Sequence, residues 1–131
     1  MKPELMYLAW AVALAFAQML IAVSGATLQV GLPALAGNRE GLPPCTGWAG
    51  RAQRAHHNML ENLVLFAALV LIAAVSGKAN ATTAMGAMIF FWARVAYAVI
   101  YVAGIAWLRT LAWFVSVIGM VLIAIELLKA M

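Results

Sequence analysis

Four runs of apolar residues, each long enough to cross a bilayer, take up most of this chain and leave only short polar connections between them. A hydrocarbon core of about 30 Å takes roughly 20 residues of helix, so 131 residues hold four spans and no second domain. Composition agrees: 67% of residues are hydrophobic and 9% charged, with a mean hydropathy of +1.02, which excludes a soluble domain. The expected fold is all-α, one integral membrane four-helix bundle over residues 1–131, with spans at about 5–32, 48–75, 82–106 and 110–128. The first run is too long for a signal-peptide core and shows no cleavage site, so it is expected to stay as the first span. Between the first two spans, residues 33–47 carry Pro33, Pro43, Pro44, Gly37, Gly41 and Gly47, and read as the longest loop.

The net charge of +4 does not point to nucleic acid, because the eight Lys and Arg residues are dispersed through apolar sequence and form no basic stripe. Arg39, Arg51, Arg54 and Arg109 fall near one membrane face, against Lys2, Lys78 and Lys129 near the other. The positive-inside rule then puts the 33–47 loop in the cytoplasm, with Trp107 and Trp113 at an interface. Cys45, the one cysteine, excludes an intrachain disulfide and reads as a loop thiol. Asn80-Ala81-Thr82 matches a glycosylation sequon, but so close to the bilayer a helix-capping role for Asn80 or Thr82 is expected. Glu126 and Lys129, three apart, are expected to pair locally, and Gln18 and Gln29 read as helix-packing residues.

Ionisable groups within a span are expensive and mark a site or a structural ion pair. In the second span Arg51, Arg54, Asn58 and Glu61 recur at intervals of three and four, so they share one stripe of the helix, with His57 beside it and Gln53 and His56 broadening the polar surface. The third span offers Arg94, Tyr97 and Tyr101 at the same spacing. Antiparallel packing brings Glu61 and Arg94 to similar depth, where they are expected to neutralise each other. Arg51, Arg54 and Arg109 are then left without acidic partners, a surplus suited to a carboxylate or phosphate ligand, lipid head groups included. No metal site is expected: adjacent His56 and His57 diverge by about 100° on a helix, and there is no HExxH pattern.

The run Arg51-Ala-Gln-Arg54-Ala-His-His-Asn58-Met-Leu-Glu61 resembles the RxxRAxxNxxE signature of the MAPEG family, the membrane-associated proteins of eicosanoid and glutathione metabolism. Arg94-Val-Ala-Tyr97-Ala-Val-Ile-Tyr101 is similar to the family's third-helix segment, and Leu108-Arg109-Thr110-Leu111-Ala112-Trp113 to the turn between its third and fourth helices. The resemblance implies a homotrimer of four-helix protomers in a bacterial inner membrane, with glutathione in clefts between neighbours. It implies that Arg51, Arg54, His57, Asn58, Glu61, Arg94, Tyr97 and Tyr101 line the glutathione site, Glu61 taking the ammonium and the arginines the carboxylates. Arg109 is implied as the catalytic residue beside the thiol, once one residue of slack is allowed. His57 stands where several eukaryotic members have arginine, and Tyr97 where some have histidine.

Two function classes follow. The first is a glutathione transferase or peroxidase acting on lipophilic electrophiles or hydroperoxides supplied by the bilayer. The second is a non-catalytic scaffold or anionic-lipid-binding protein in which the polar stripes only hold helices together. A small transporter fits poorly, since no inverted repeats or broken helices interrupt the spans.

Overall fold

The computed structural model describes all 131 residues and consists of helices joined by short turns. In chain order these are α1 (Pro3–Val30), α2 (Leu32–Ala36), α3 (Gly47–Ser76), α4 (Ala81–Ala103) and α5 (Ala106–Lys129). The four long ones have 28, 30, 23 and 24 residues and are each apolar enough to cross a membrane. At about 1.5 Å per residue all of them exceed the hydrocarbon thickness, so their ends reach the interfaces.

The boundaries depart from expectation where glycine intervenes. The first span stops at Val30, because Gly31 takes φ +86° and turns the chain into α2, a short helix inside the expected loop. The third span ends at Ala103 rather than near 106, stopped by Gly104 at φ +87°. The fourth starts at once, so Arg109 lies in the first turn of α5 and not in a connecting turn. Asn80 does cap α4: its side chain accepts from Thr83 N–H at 3.0 Å, while Thr83 Oγ1 accepts from Asn80 N–H at 2.8 Å. That reciprocal box satisfies two donors the helix start would otherwise leave open. Thr83 rather than Thr82 is the partner.

Two further ties fix the ends of the bundle. Gln29 Nε2 donates to Thr46 O at 2.7 Å, and Thr46 N–H returns a bond to Gln29 Oε1 at 2.9 Å, closing the 33–47 loop against α1. At the opposite end buried Glu4 accepts from Thr83 Oγ1 at 3.4 Å. Nearby, Glu126 pairs with Lys129 at 3.3 Å as expected, and also accepts from Asn80 Nδ2 at 2.9 Å.

Within the bilayer, helices have no hydrophobic drive towards one another, and close packing of small residues substitutes for it. A Cβ placed on Gly86 would lie 2.6 Å from Gly119 O, and one on Gly25 would lie 2.7 Å from the Ala49 Cβ. These contacts seat α4 on α5 and α1 on α3. Between them, Phe66 and Phe90 stack with ring centres 4.0 Å apart in a core that also holds Met59, Val70, Ala87 and Ile123.

Gly86→Leu should therefore lower the thermal midpoint in detergent well below that of Ala68→Leu, a change on an exposed α3 position. Overpacking typically costs about 1–3 kcal/mol, and here the obstructing atom is backbone, which cannot swing aside. Equal midpoints for the two variants would mean that the α4–α5 seam is not what holds the bundle.

Candidate functional site

The site is built where α3 begins, α4 ends and α5 begins. Arg51 Nε donates to Val102 O at 2.9 Å, meeting one of the carbonyls that the last turn of α4 leaves open and placing a cation at the negative end of that helix. One turn further along α3, Arg54 Nε donates to Tyr101 Oη at 3.2 Å. Both arginines contact the protein through Nε, so their terminal nitrogens stay free to bind something else.

Tyr101 is the hub. The Arg109 guanidinium lies over its ring at 4.4 Å from the centre, and the Arg54 guanidinium stands 6.0 Å away. Tyr97 meets Tyr101 edge to face, centres 5.5 Å apart at 67°, and Arg94 lies over the Tyr97 ring at 4.1 Å. The result is a column of two adjoining aromatic rings with a cation at each end, from Arg94 inside the bundle to Arg109 at its end. A ring quadrupole attracts a cation without adding an opposite charge, so the column retains its full positive charge.

A pocket of about 190 Å³ opens on this column between Asn58, Tyr97, Arg109, Thr110 and Trp113. Asn58 is oriented by Asn62, whose Nδ2 donates to both Asn58 O at 2.8 Å and Asn58 Oδ1 at 3.2 Å. Thr110 and Trp113 were not among the residues expected to line a site. Their signal was present in the sequence, since they lie one and four positions after Arg109, but it needed α5 to start early enough for those offsets to be helical.

The expected pairing of Glu61 with Arg94 does not form. The Glu126–Lys129 contact is the one salt bridge in the chain, Glu61 is exposed, and Arg94 is 1% exposed with none of its three guanidinium nitrogens hydrogen-bonded. The reason is rotational. The buried stripe of α3 is Ala52, Ala55, Met59, Asn62 and Phe66, and Arg51, Arg54, Asn58 and Glu61 each precede a member of it by one residue, about 100° round the helix. Near the start of α3 that flank meets α4 and α5. At Glu61 it faces outward, while Arg94 turns inward onto Tyr97.

His57 also separates from the column. With Gln53, His56 and Arg39 it lines a second cleft of about 300 Å³ between α1, α2 and α3, on another flank of the same bundle end. Arg39 is held there by its own backbone, Nε donating to Leu35 O at 2.7 Å from a residue at φ +63°. The residues singled out from sequence thus fall in three places: Arg51, Arg54, Asn58, Arg94, Tyr97, Tyr101 and Arg109 together, His57 in the second cleft, and Glu61 on the outer surface.

Four apolar spans with a cationic, tyrosine-lined pocket at one bundle end define a multi-pass helical membrane protein whose polar chemistry is concentrated near one membrane face. The chain belongs to the MAPEG family, whose family model matches residues 7–129, nearly its full length. No curated protein matches it.

An Arg94→Met exchange should leave the thermal midpoint in detergent unchanged or raise it, because replacing an unpaired buried charge by an apolar chain of similar length removes a desolvation cost. Glu61→Gln should change it little. Combined, the two should add within about 0.5 kcal/mol in a double-mutant cycle. A coupling of several kcal/mol would show that the two groups do meet.

Proposed function

We propose that the protein binds glutathione at the pocket lined by Arg109 and Tyr97 and uses it as a transferase or peroxidase on lipophilic electrophiles or hydroperoxides drawn from the bilayer. The observation that carries this reading is a set of three arginines at one end of the bundle, Arg54 and Arg109 on Tyr101 and Arg51 on the neighbouring Val102 carbonyl, with no carboxylate within salt-bridge distance of any of them. Glutathione supplies two carboxylates, one ammonium and a nucleophilic thiol. The free terminal nitrogens of Arg51 and Arg54 suit the carboxylates, and Asn58 and Tyr97 add neutral hydrogen-bonding groups.

Arg109 is the catalytic residue in this reading. A thiol has an ordinary pKa near 8.5, and an adjacent guanidinium favours the thiolate that attacks. Stacking on Tyr101 holds Arg109 in position without spending its hydrogen-bond donors. Trp113, on the same face of α5, supplies an apolar wall on the lipid side of the pocket.

The working unit in this proposal is a homotrimer. Arg54, His57 and Glu61 are exposed on a single protomer although they lie on a membrane-spanning helix, and a second copy is a better cover for them than lipid. A repeated head-to-tail contact closes a ring by setting one flank of a protomer against a different flank of the next. The two polar clefts, Asn58–Arg109 and Arg39–His57, are flanks of that kind. A neighbour would then bring His57 and Glu61 back towards the glutathione, Glu61 taking the ammonium. In the same proposal the membrane is the bacterial inner membrane, with the 33–47 loop cytoplasmic.

Calorimetry on purified protein in detergent should register glutathione binding that Arg51→Ala and Arg54→Ala weaken. Absence of binding, with anionic lipid bound instead, would leave a lipid-binding scaffold as the better account. Arg109→Ala should slow conjugation to a dinitrobenzene-type electrophile by about 10- to 1000-fold, the scale of a lost catalytic electrostatic contact, while glutathione affinity changes far less. Unchanged turnover would take Arg109 out of the chemistry. Native mass spectrometry in mild detergent should show a trimer as the dominant species, and a dominant monomer or dimer would count against the shared site.

A further inference from the structure

We propose a second binding site, for a neutral lipophilic alcohol, in the groove where α1 and α4 part over the start of α3. The groove has a volume of about 350 Å³, within the usual range of small-molecule sites. Nine of its ten lining residues are apolar, among them Leu14 and Ile21 of α1 and Val95, Ala98 and Val99 of α4. The tenth is Gln18. It is 7% exposed, and its Oε1 is buried with no hydrogen-bond partner anywhere in the chain.

Those two facts define the ligand. An unpaired amide oxygen in an apolar setting leaves a costly acceptor unmet, so the complementary molecule must bring a donor. Gln18 lies about 18 Å along α1 from Val30, well inside the hydrocarbon zone, where bulk water does not reach. The groove contains no charged residue, so an ammonium or a carboxylate has nothing there to balance it. A hydroxyl on an otherwise apolar chain meets each condition: it donates to Gln18 Oε1, stays neutral and arrives through the bilayer.

This groove shares no lining residue with the Arg109 pocket, and Ala55 is the partition between them. One side of Ala55 lines the groove, and the other packs on Tyr97 and Tyr101. The proposal stands independently of glutathione binding.

The test is photolabelling of the intact protein in lipid nanodiscs with hexadecanol carrying a diazirine in its chain, compared with the corresponding methyl ether, which lacks the donor. The alcohol is expected to label α1 and α4 peptides that line the groove, with the ether about five- to tenfold weaker, the ratio for one hydrogen bond to a buried acceptor. Gln18→Leu should reduce the alcohol to the level of the ether, and Ala98→Phe, which fills the groove, should abolish labelling by both. Thermal midpoints identify any variant that fails to fold, and if Ala98→Phe does, the alcohol-to-ether ratio in Gln18→Leu decides alone. Equal labelling by alcohol and ether in the parent protein overturns the proposal, as does a preference that survives Gln18→Leu. Absence of label from the groove, the result if a second copy of the chain covers it, overturns it as well.

Discussion

The close approach of α4 and α5 at Gly86 and Gly119 is the contact on which the rest of the arrangement depends. In water, burial of apolar surface would bring these helices together whatever their detailed shape, but lipid is as apolar as leucine and gives no such drive. What remains is dispersion between surfaces that fit, and two facing glycines let backbone touch backbone. From that seam the helices run to the far end of the bundle, where α4 delivers Tyr97 and Tyr101 and α5 delivers Arg109. Gly104 at φ +87° makes the connection short enough that Arg109 folds back over Tyr101.

Stacking rather than ion pairing is how the bundle accommodates its cations. A carboxylate beside Arg109 would neutralise it, and a desolvated pair contributes little net stability. An aromatic face holds the guanidinium by its quadrupole and leaves the in-plane donors available. Arg51 achieves the same end through a backbone carbonyl: Val102 O is an acceptor that the end of α4 already exposes, so the bond costs no other interaction. Arg94 is the innermost member of the column and the one whose donors find nothing, which makes it a cost carried by the packing around Tyr97.

The span count, the polar stripe on α3 and its α4 complement were legible in the sequence because each rests on helical periodicity, which depends on nothing beyond the helix itself. The partners were not. Pairing Glu61 with Arg94 assumed that equal depth implies contact, whereas the 100° between neighbouring positions on α3 decides whether a side chain meets α4 or points outward. The same rotation sent His57 to a different cleft from Asn58, one residue away. Trp113 and Thr110 were hidden by a boundary error of four residues at the start of α5, set by a glycine whose left-handed conformation no hydropathy profile registers. The roles of Glu4 and Gln29 were illegible for another reason: Glu4 bonds Thr83, and Gln29, which reads from sequence as a helix-packing residue, closes a pair of bonds with Thr46, long-range contacts that no local pattern announces.

The distribution of acids explains why charge collects at one end. The chain has four acidic residues in all. Glu4 is bonded to Thr83, and Glu126 to Lys129 and Asn80, all at the end of the bundle away from the arginines. Glu40 lies in the 33–47 connection, and Glu61 looks outward from α3. No acid of the same protomer forms a salt bridge with Arg51, Arg54 or Arg109. Within the protomer these cations are therefore unbalanced, which leaves them open to an anion from a ligand, a lipid head group or another copy of the chain. Because Tyr101 and the Val102 carbonyl fix the geometry of these cations beforehand, an incoming anion would meet donors already in place and would not bear the cost of ordering three flexible side chains.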